Sequence, residues 1–237
     1  MGDLGANGGS IDRMETSPRT PVEPRLVGGH VALDLVNTVA PRTPGGSGQV
    51  EFVGTPADLL HWAQRVQLIT AAEAAGVEAA WVAAPASASQ ALHAAIDVRE
   101  AAYAVLMASL GAGDAATEGA AGELERLMLR WSAATARSAL LLGGPAGPAA
   151  VLSVGSPGAL LIPDRLAHAA VDLVRTVDLA QLRVCPVDQG GCGWLFLDRS
   201  RNGSRRWCAM ADCGTQAKSR RLTQRRRVGR SGAASGR

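Results

Sequence analysis

Lysine is nearly missing from this chain, and aromatic residues are scarce. Lys218 is the only lysine among 24 basic residues, and aromatics make up 3% of the 237 positions. Hydrophobic residues reach 47%, which excludes global disorder and leaves a core of Leu, Val and Ala. No apolar run is long enough to cross a bilayer. The N-terminus MGDLGANGGSIDRMET lacks the charged-then-apolar order of an export signal. Membrane insertion and export are therefore disfavoured, and a cytoplasmic protein is expected. Four cysteines are too few for a disulfide scaffold. There is no Gly-Lys-Ser/Thr phosphate loop, no nucleophile elbow and no His-Glu-x-x-His, and no histidine pair has ligand spacing. The expectation is a protein that is not an enzyme.

What the chain does have is charge separated along its length. Residues 1–198 hold 12 arginines against 20 acids; residues 199–237 hold 12 basic residues against one acid. The net charge of +3 thus conceals a body of −8 and a C-terminus of +11. A focused basic segment on an acidic body points to a polyanionic partner.

The pattern predicts a mainly α fold: a multihelical N-terminal domain with one or two short β-hairpins, then a small four-Cys module made of a hairpin and a basic helix. Residues 1–24 and 229–237 are expected to be flexible, with boundaries at 25–180 and 181–228. HVALDLVNTVA (30–40) is compatible with a helix or a strand, and VEFV (50–53) with a short strand. Thr55, Pro56 and Asp58 mark a helix start by the capping-box rule. Further helices are expected over 70–81, 88–110, 121–137 and from Pro163, with GAGDAATEGAAG (111–122) as a breaker. SALLLGGPAGPAAVLSV (138–154) reads as a hairpin.

All the cysteines fall late, as Cys185-x6-Cys192-x15-Cys208-x4-Cys213. Two close pairs across a longer insert are the layout of a four-thiolate zinc site. Four protein ligands leave no position for water, so one structural Zn2+ is expected. Two disulfides, four unlinked thiols or an Fe–S cluster are the alternatives. Between the pairs lie Arg199, Arg201, Asn202, Arg205 and Arg206; beyond them lie Lys218, Arg220, Arg221 and Arg225. These are the expected nucleic-acid contacts, since the arginine fork suits phosphates and guanine edges. Trp194 and Trp207 are expected to pack on the metal knuckles rather than stack on bases.

The run CGWLFLDRSRNGSRRWCAMADCGTQAKSRR (192–221) resembles the zinc finger of the CGNR family of bacterial proteins. GGHVALDLVNT (28–38) is similar to the ABATE domain that accompanies it. Together the likeness covers roughly residues 25–228 and implies a stress-linked transcription regulator. Two features depart from the family pattern. Cys-Gly-Asn-Arg is here Cys213-Gly214-Thr215-Gln216, which removes a charge. The first Cys pair encloses six residues where four are usual, and Gly190-Gly191 can absorb the excess.

A second site is suggested by two charges in apolar surroundings. Asp34 interrupts VALDLV, and Arg99 shares a helix face with Leu92, Ile96 and Tyr103. Either Asp34 and Arg99 pair with each other, or they join His30, Asn37 and Thr38 in lining an effector pocket. The combined expectation is a zinc-dependent DNA-binding regulator whose helical domain senses a small-molecule effector or forms a homodimer. The alternatives are an RNA-binding protein, or a small-molecule-binding protein whose finger is only structural.

Overall fold

A computed structural model describes residues 23–42, 48–111 and 114–223. The first helix, α1 (Val31–Val36), begins at a turn where Gly28 passes so close to Leu33 that a Cβ there would collide. Residues 30–40 turn out to be helix and strand in succession. After α1, Thr38 Oγ1 donates to the Leu35 carbonyl at 2.8 Å, and β1 (Val39–Ala40) pairs antiparallel with β2 (Val50–Glu51).

Helix α2 (Pro56–Arg65) starts as its sequence dictates. The Asp58 N–H donates to Thr55 Oγ1, and the Thr55 N–H to Asp58 Oδ2, completing the capping box. Thr70 and Glu73 repeat the device at α3 (Ala71–Ala83). The hub is α4 (Pro85–Ser109), which packs against α1, α2, α3, α5 and α6. Its leucine stripe is only part of the reason. Ala91, Ala94, Ala95, Ala101 and Ala102 are buried as well, so neighbouring helices approach it closely from several sides.

The expected breaker at 111–122 is mostly helix, because α5 (Asp114–Ala136) already starts at residue 114. Its alanines outweigh the cost of the two glycines there. The hairpin of β3 (Ala139–Leu142) and β4 (Ala150–Ser153) forms as expected, with Leu140 opposite Leu152. Helix α6 (Leu161–Thr176) carries Pro163 in its first turn, where proline is tolerated. Arg137 clamps the buried Asp164 at its start, with Nε at 2.8 Å.

The C-terminal segment adds β5 (Leu182–Val184) paired antiparallel with β6 (Leu195–Leu197). A 3-10 turn at Val187–Gln189, a π-helical turn at Met210–Gly214 and α7 (215–223) follow. The described residues are thus mainly α, with seven helices and three two-stranded sheets. No helix among them is long and apolar enough to cross a membrane. Strand β6 separates two apolar clusters. Its period of two sends Leu195 and Leu197 into the large helical core, and Trp194 and Phe196 into a smaller cluster around the cysteines. The termini expected to be flexible lie outside the described residues, apart from 23 and 24.

Candidate metal centre and nucleic-acid interface

The four cysteines come from three kinds of local structure. Cys185 follows β5, and its N–H donates to the Trp194 carbonyl at 2.9 Å. Cys192 closes the first knuckle beside Gly193, whose positive φ of 76° and tight approach to Arg42 leave no room for a side chain. Cys208 ends the arginine-rich loop, and Cys213 lies in the π-helical turn that leads into α7. Their sulfurs all lie within 4.8 Å of one another, with Cys192–Cys208 at 3.4 Å and Cys208–Cys213 at 3.7 Å. A tetrahedral ion with metal–sulfur bonds of about 2.3 Å sets sulfurs roughly 3.8 Å apart, so the donor set fits a four-coordinate metal. Hydrogen bonding with the Cys192, Cys208 and Cys213 sulfurs holds the Cys185 thiol well below its ordinary range, which favours a thiolate there. Trp207, Phe196 and Ala217 pack around the sulfurs, and Trp194 donates its indole N–H to the Val39 carbonyl at 2.8 Å. Both tryptophans are buried against the knuckles, as the sequence suggested.

The loop between the cysteine pairs is pinned at its neck. The buried carboxylate of Asp198 accepts from Ser200 N–H at 2.9 Å, Ser200 Oγ–H at 2.6 Å and Arg205 N–H at 2.8 Å. The Ser200 bonds hold this carboxyl below the usual carboxylate range. Sequence reasoning missed Asp198, although Asp-x-Ser ahead of a turn is a local signal for such a bond. Arg205 is also part of the neck. Its guanidinium lies 4.4 Å from the Phe196 ring centroid and donates to the carbonyls of Trp207, Val27 and Cys208. It therefore acts as a clamp within the loop. Arg199, Arg201 and Asn202 remain on the exposed tip, and Arg206 leans over Trp207 and donates to Gln189.

On α7, Ala217 faces the cysteine cluster, while Lys218, Arg220 and Arg221 are exposed. Arg220 lies against Gly190 of the first knuckle, so the helix and both cysteine pairs form one unit. Arg225 lies outside the described residues. The single acid of the basic segment, Asp212, is engaged by Arg25 at 3.0 Å. Among the described residues, Arg199, Arg201, Arg206, Lys218, Arg220 and Arg221 form no ion pair.

Residues 181–226 match the family described as CGNR zinc finger. Residues 29–177 match ABATE, described as "Putative stress-induced transcription regulator". The chain belongs to the ABATE family. No curated protein matches it. The order of the ABATE region and the CGNR finger is the one expected from the sequence.

Inside the ABATE region, the expected effector residues are structural. His30 caps α1, its Nδ1 accepting from the Ala32 N–H at 3.2 Å, and burial lowers its pKa. Asp34 does not pair with Arg99. Burial pushes its carboxyl up, and it accepts from the Gly28 N–H at 2.9 Å. Arg99 instead meets Glu51 at 2.7 Å, Glu100 at 2.7 Å and Thr38 Oγ1 at 3.0 Å. Arg42, absent from the sequence reading, joins the same network through Glu100 and stacks 4.4 Å from the Tyr103 centroid. Its backbone N–H donates to the Cys192 carbonyl at 2.7 Å, linking the network to the metal knuckle. Asn37 is wholly buried and bonded to Leu195. These contacts bind the ABATE core together, and Asn37 and Arg42 tie it to the finger.

Proposed function

We propose that the chain is a zinc-dependent, DNA-binding transcription regulator acting in the cytoplasm. The observation that carries this reading is the set of six exposed basic side chains without ion pairs among the described residues, all held on a unit gathered around four cysteines, while residues 1–198 carry a net −8. Zinc bound by Cys185, Cys192, Cys208 and Cys213 supplies fixed tetrahedral geometry, and four thiolates leave no coordination position for a reacting water. The residues then do the binding. Arg199, Arg201, Asn202 and Arg206 meet phosphates or base edges from the loop. Lys218, Arg220 and Arg221 follow the backbone from the helix, and Arg225 adds its charge further along the chain, releasing counterions as they do. Asp198 and Arg205 keep the loop in shape without touching nucleic acid.

The test is selection of fragmented genomic DNA on the zinc-loaded chain at near-physiological salt with excess nonspecific competitor. A few enriched promoter-proximal sequences support a sequence-specific regulator. Preference for single-stranded RNA in a direct competition would move the reading to RNA binding. Zinc chelation, or Cys208→Ser, is expected to unfold the module and abolish binding; retention of both folding and binding would overturn the mechanism.

A further inference from the structure

The hairpin β3–β4 and the outer row of α5 form an apolar surface to which the metal centre contributes nothing. Leu142 is 94% and Leu140 72% exposed, and Leu124, Met128 and Leu152, which line one groove, are exposed as well. The stretch from Ser138 to Val154 contains no charged residue, in a chain where 19% are charged. All four residues of β3 face solvent, and the sheet has only two strands, so both outer edges are unpaired. Isolated hairpins are marginal in water, and natural free edges are guarded by lysine or other charges. No such guard is present here.

The strand register puts Leu140, Leu142 and Leu152 on one face of the hairpin. Leu152 also lines a groove of about 410 Å3 between α5 and α6, floored by Leu124, Met128 and Trp131, with His168, Asp172 and Arg175 of α6 also in its lining. A projecting apolar arm and an apolar hollow therefore sit side by side. On α5, Leu127 is buried, while Leu124 and Met128 are not.

We propose that this surface is the interface between two copies of this chain. An arm beside a hollow is self-complementary across a twofold axis, since each protomer offers what the other needs. The hairpin carries no charge and the groove beside it carries one acid and one base, Asp172 and Arg175, so the surface selects no partner of a single charge sign. Leu140, Leu142 and Leu152, with Leu124 and Met128, supply the apolar centre of a patch, and a stable interface takes about 800 Å2 from each side. The surface uses no residue of the 181–223 segment, so the proposal stands independently of what the finger binds.

Sedimentation equilibrium of the zinc-loaded full chain tests it. The expected result is a dimer, with the double variant Leu140→Glu/Leu142→Glu dissociating it about 100-fold or more while helical circular dichroism is unchanged. Met128→Glu, on the groove side of α5, is expected to weaken the same dimer without altering the hairpin. A wild-type chain that stays monomeric at about 100 μM would overturn the proposal, as would a dimer that survives both variants. A monomer whose groove binds the apolar dye ANS, lost in Leu152→Glu, would also overturn it and give the groove to a small apolar ligand.

Discussion

The Asn37 carboxamide reads both backbone groups of Leu195, 158 residues away. Its Nδ2 donates to the Leu195 carbonyl at 2.9 Å, and its Oδ1 accepts the Leu195 N–H at 3.0 Å. The side chain is fully buried, so neither bond has water as a substitute. Asn37→Ala is expected to destabilise the protein by about 2–4 kcal/mol, because two buried backbone groups lose their partner. Urea denaturation checks this, and a loss below about 0.5 kcal/mol would refute it. Asn37→Asp should be no milder, since a carboxylate oxygen would face the Leu195 carbonyl.

Asp198 is expected to matter for binding without making contact. Asp198→Ala releases Ser200 and the Arg205 N–H, so the arginine loop loses its preformed shape. Affinity for DNA should fall roughly tenfold while the zinc content is unchanged. The loop should also become sensitive to trypsin at Arg199 and Arg201. Unchanged affinity with a loosened loop would show that loop shape does not contribute.

The arginines of the finger should divide into two classes. Arg201→Ala and Arg206→Ala each remove an exposed charge, so the slope of log K against log salt should flatten by about 0.9 per arginine bound to phosphate. Arg205→Ala should instead lower the melting temperature of the zinc module, because that guanidinium holds three carbonyls. Equal slopes and equal stabilities for all three variants would contradict the division.

Much of this was legible from local rules. Thr55 and Asp58 announce their capping box within four residues. The cysteine spacing announces its cluster because short knuckles leave the sulfurs few places to go. What was not legible is the choice of partner across long separations. Asp34 and Arg99 each needed a partner, but Asp34 found a backbone N–H six residues back, and Arg99 found Glu51 and its own neighbour Glu100. Arg205 looks like its neighbours in the run RSRNGSRR. Only the three-dimensional position of Phe196 turns it inward.

Acid stability should carry the signature of Glu73. Hydrogen bonding from Arg165, and then from the Thr70 N–H, lowers its pKa from an ordinary 4.5 to about 2. A carboxylate whose folded pKa is depressed contributes stability that is fully present above its unfolded value and is lost as pH falls towards the folded one. The window is therefore about pH 4.5 down to 2. The pair is partly solvated, so screening reduces its contribution to on the order of 1 kcal/mol. Glu73→Gln should flatten the acid limb of stability in that window and cost little below about pH 2. An unchanged limb would assign the pH dependence elsewhere.

Strand β6 has a consequence for how such a protein can be inherited. Leu195 and Leu197 plug the helical body, while Trp194 and Phe196 line the metal cluster. A finger grafted onto an unrelated helical body would bring two leucines with no hollow to fill, and would leave the Leu195 backbone without Asn37. The two blocks are thus expected to travel through genomes as a matched pair. Any chimera between relatives should work only when the 28–42 segment is exchanged along with the finger it holds.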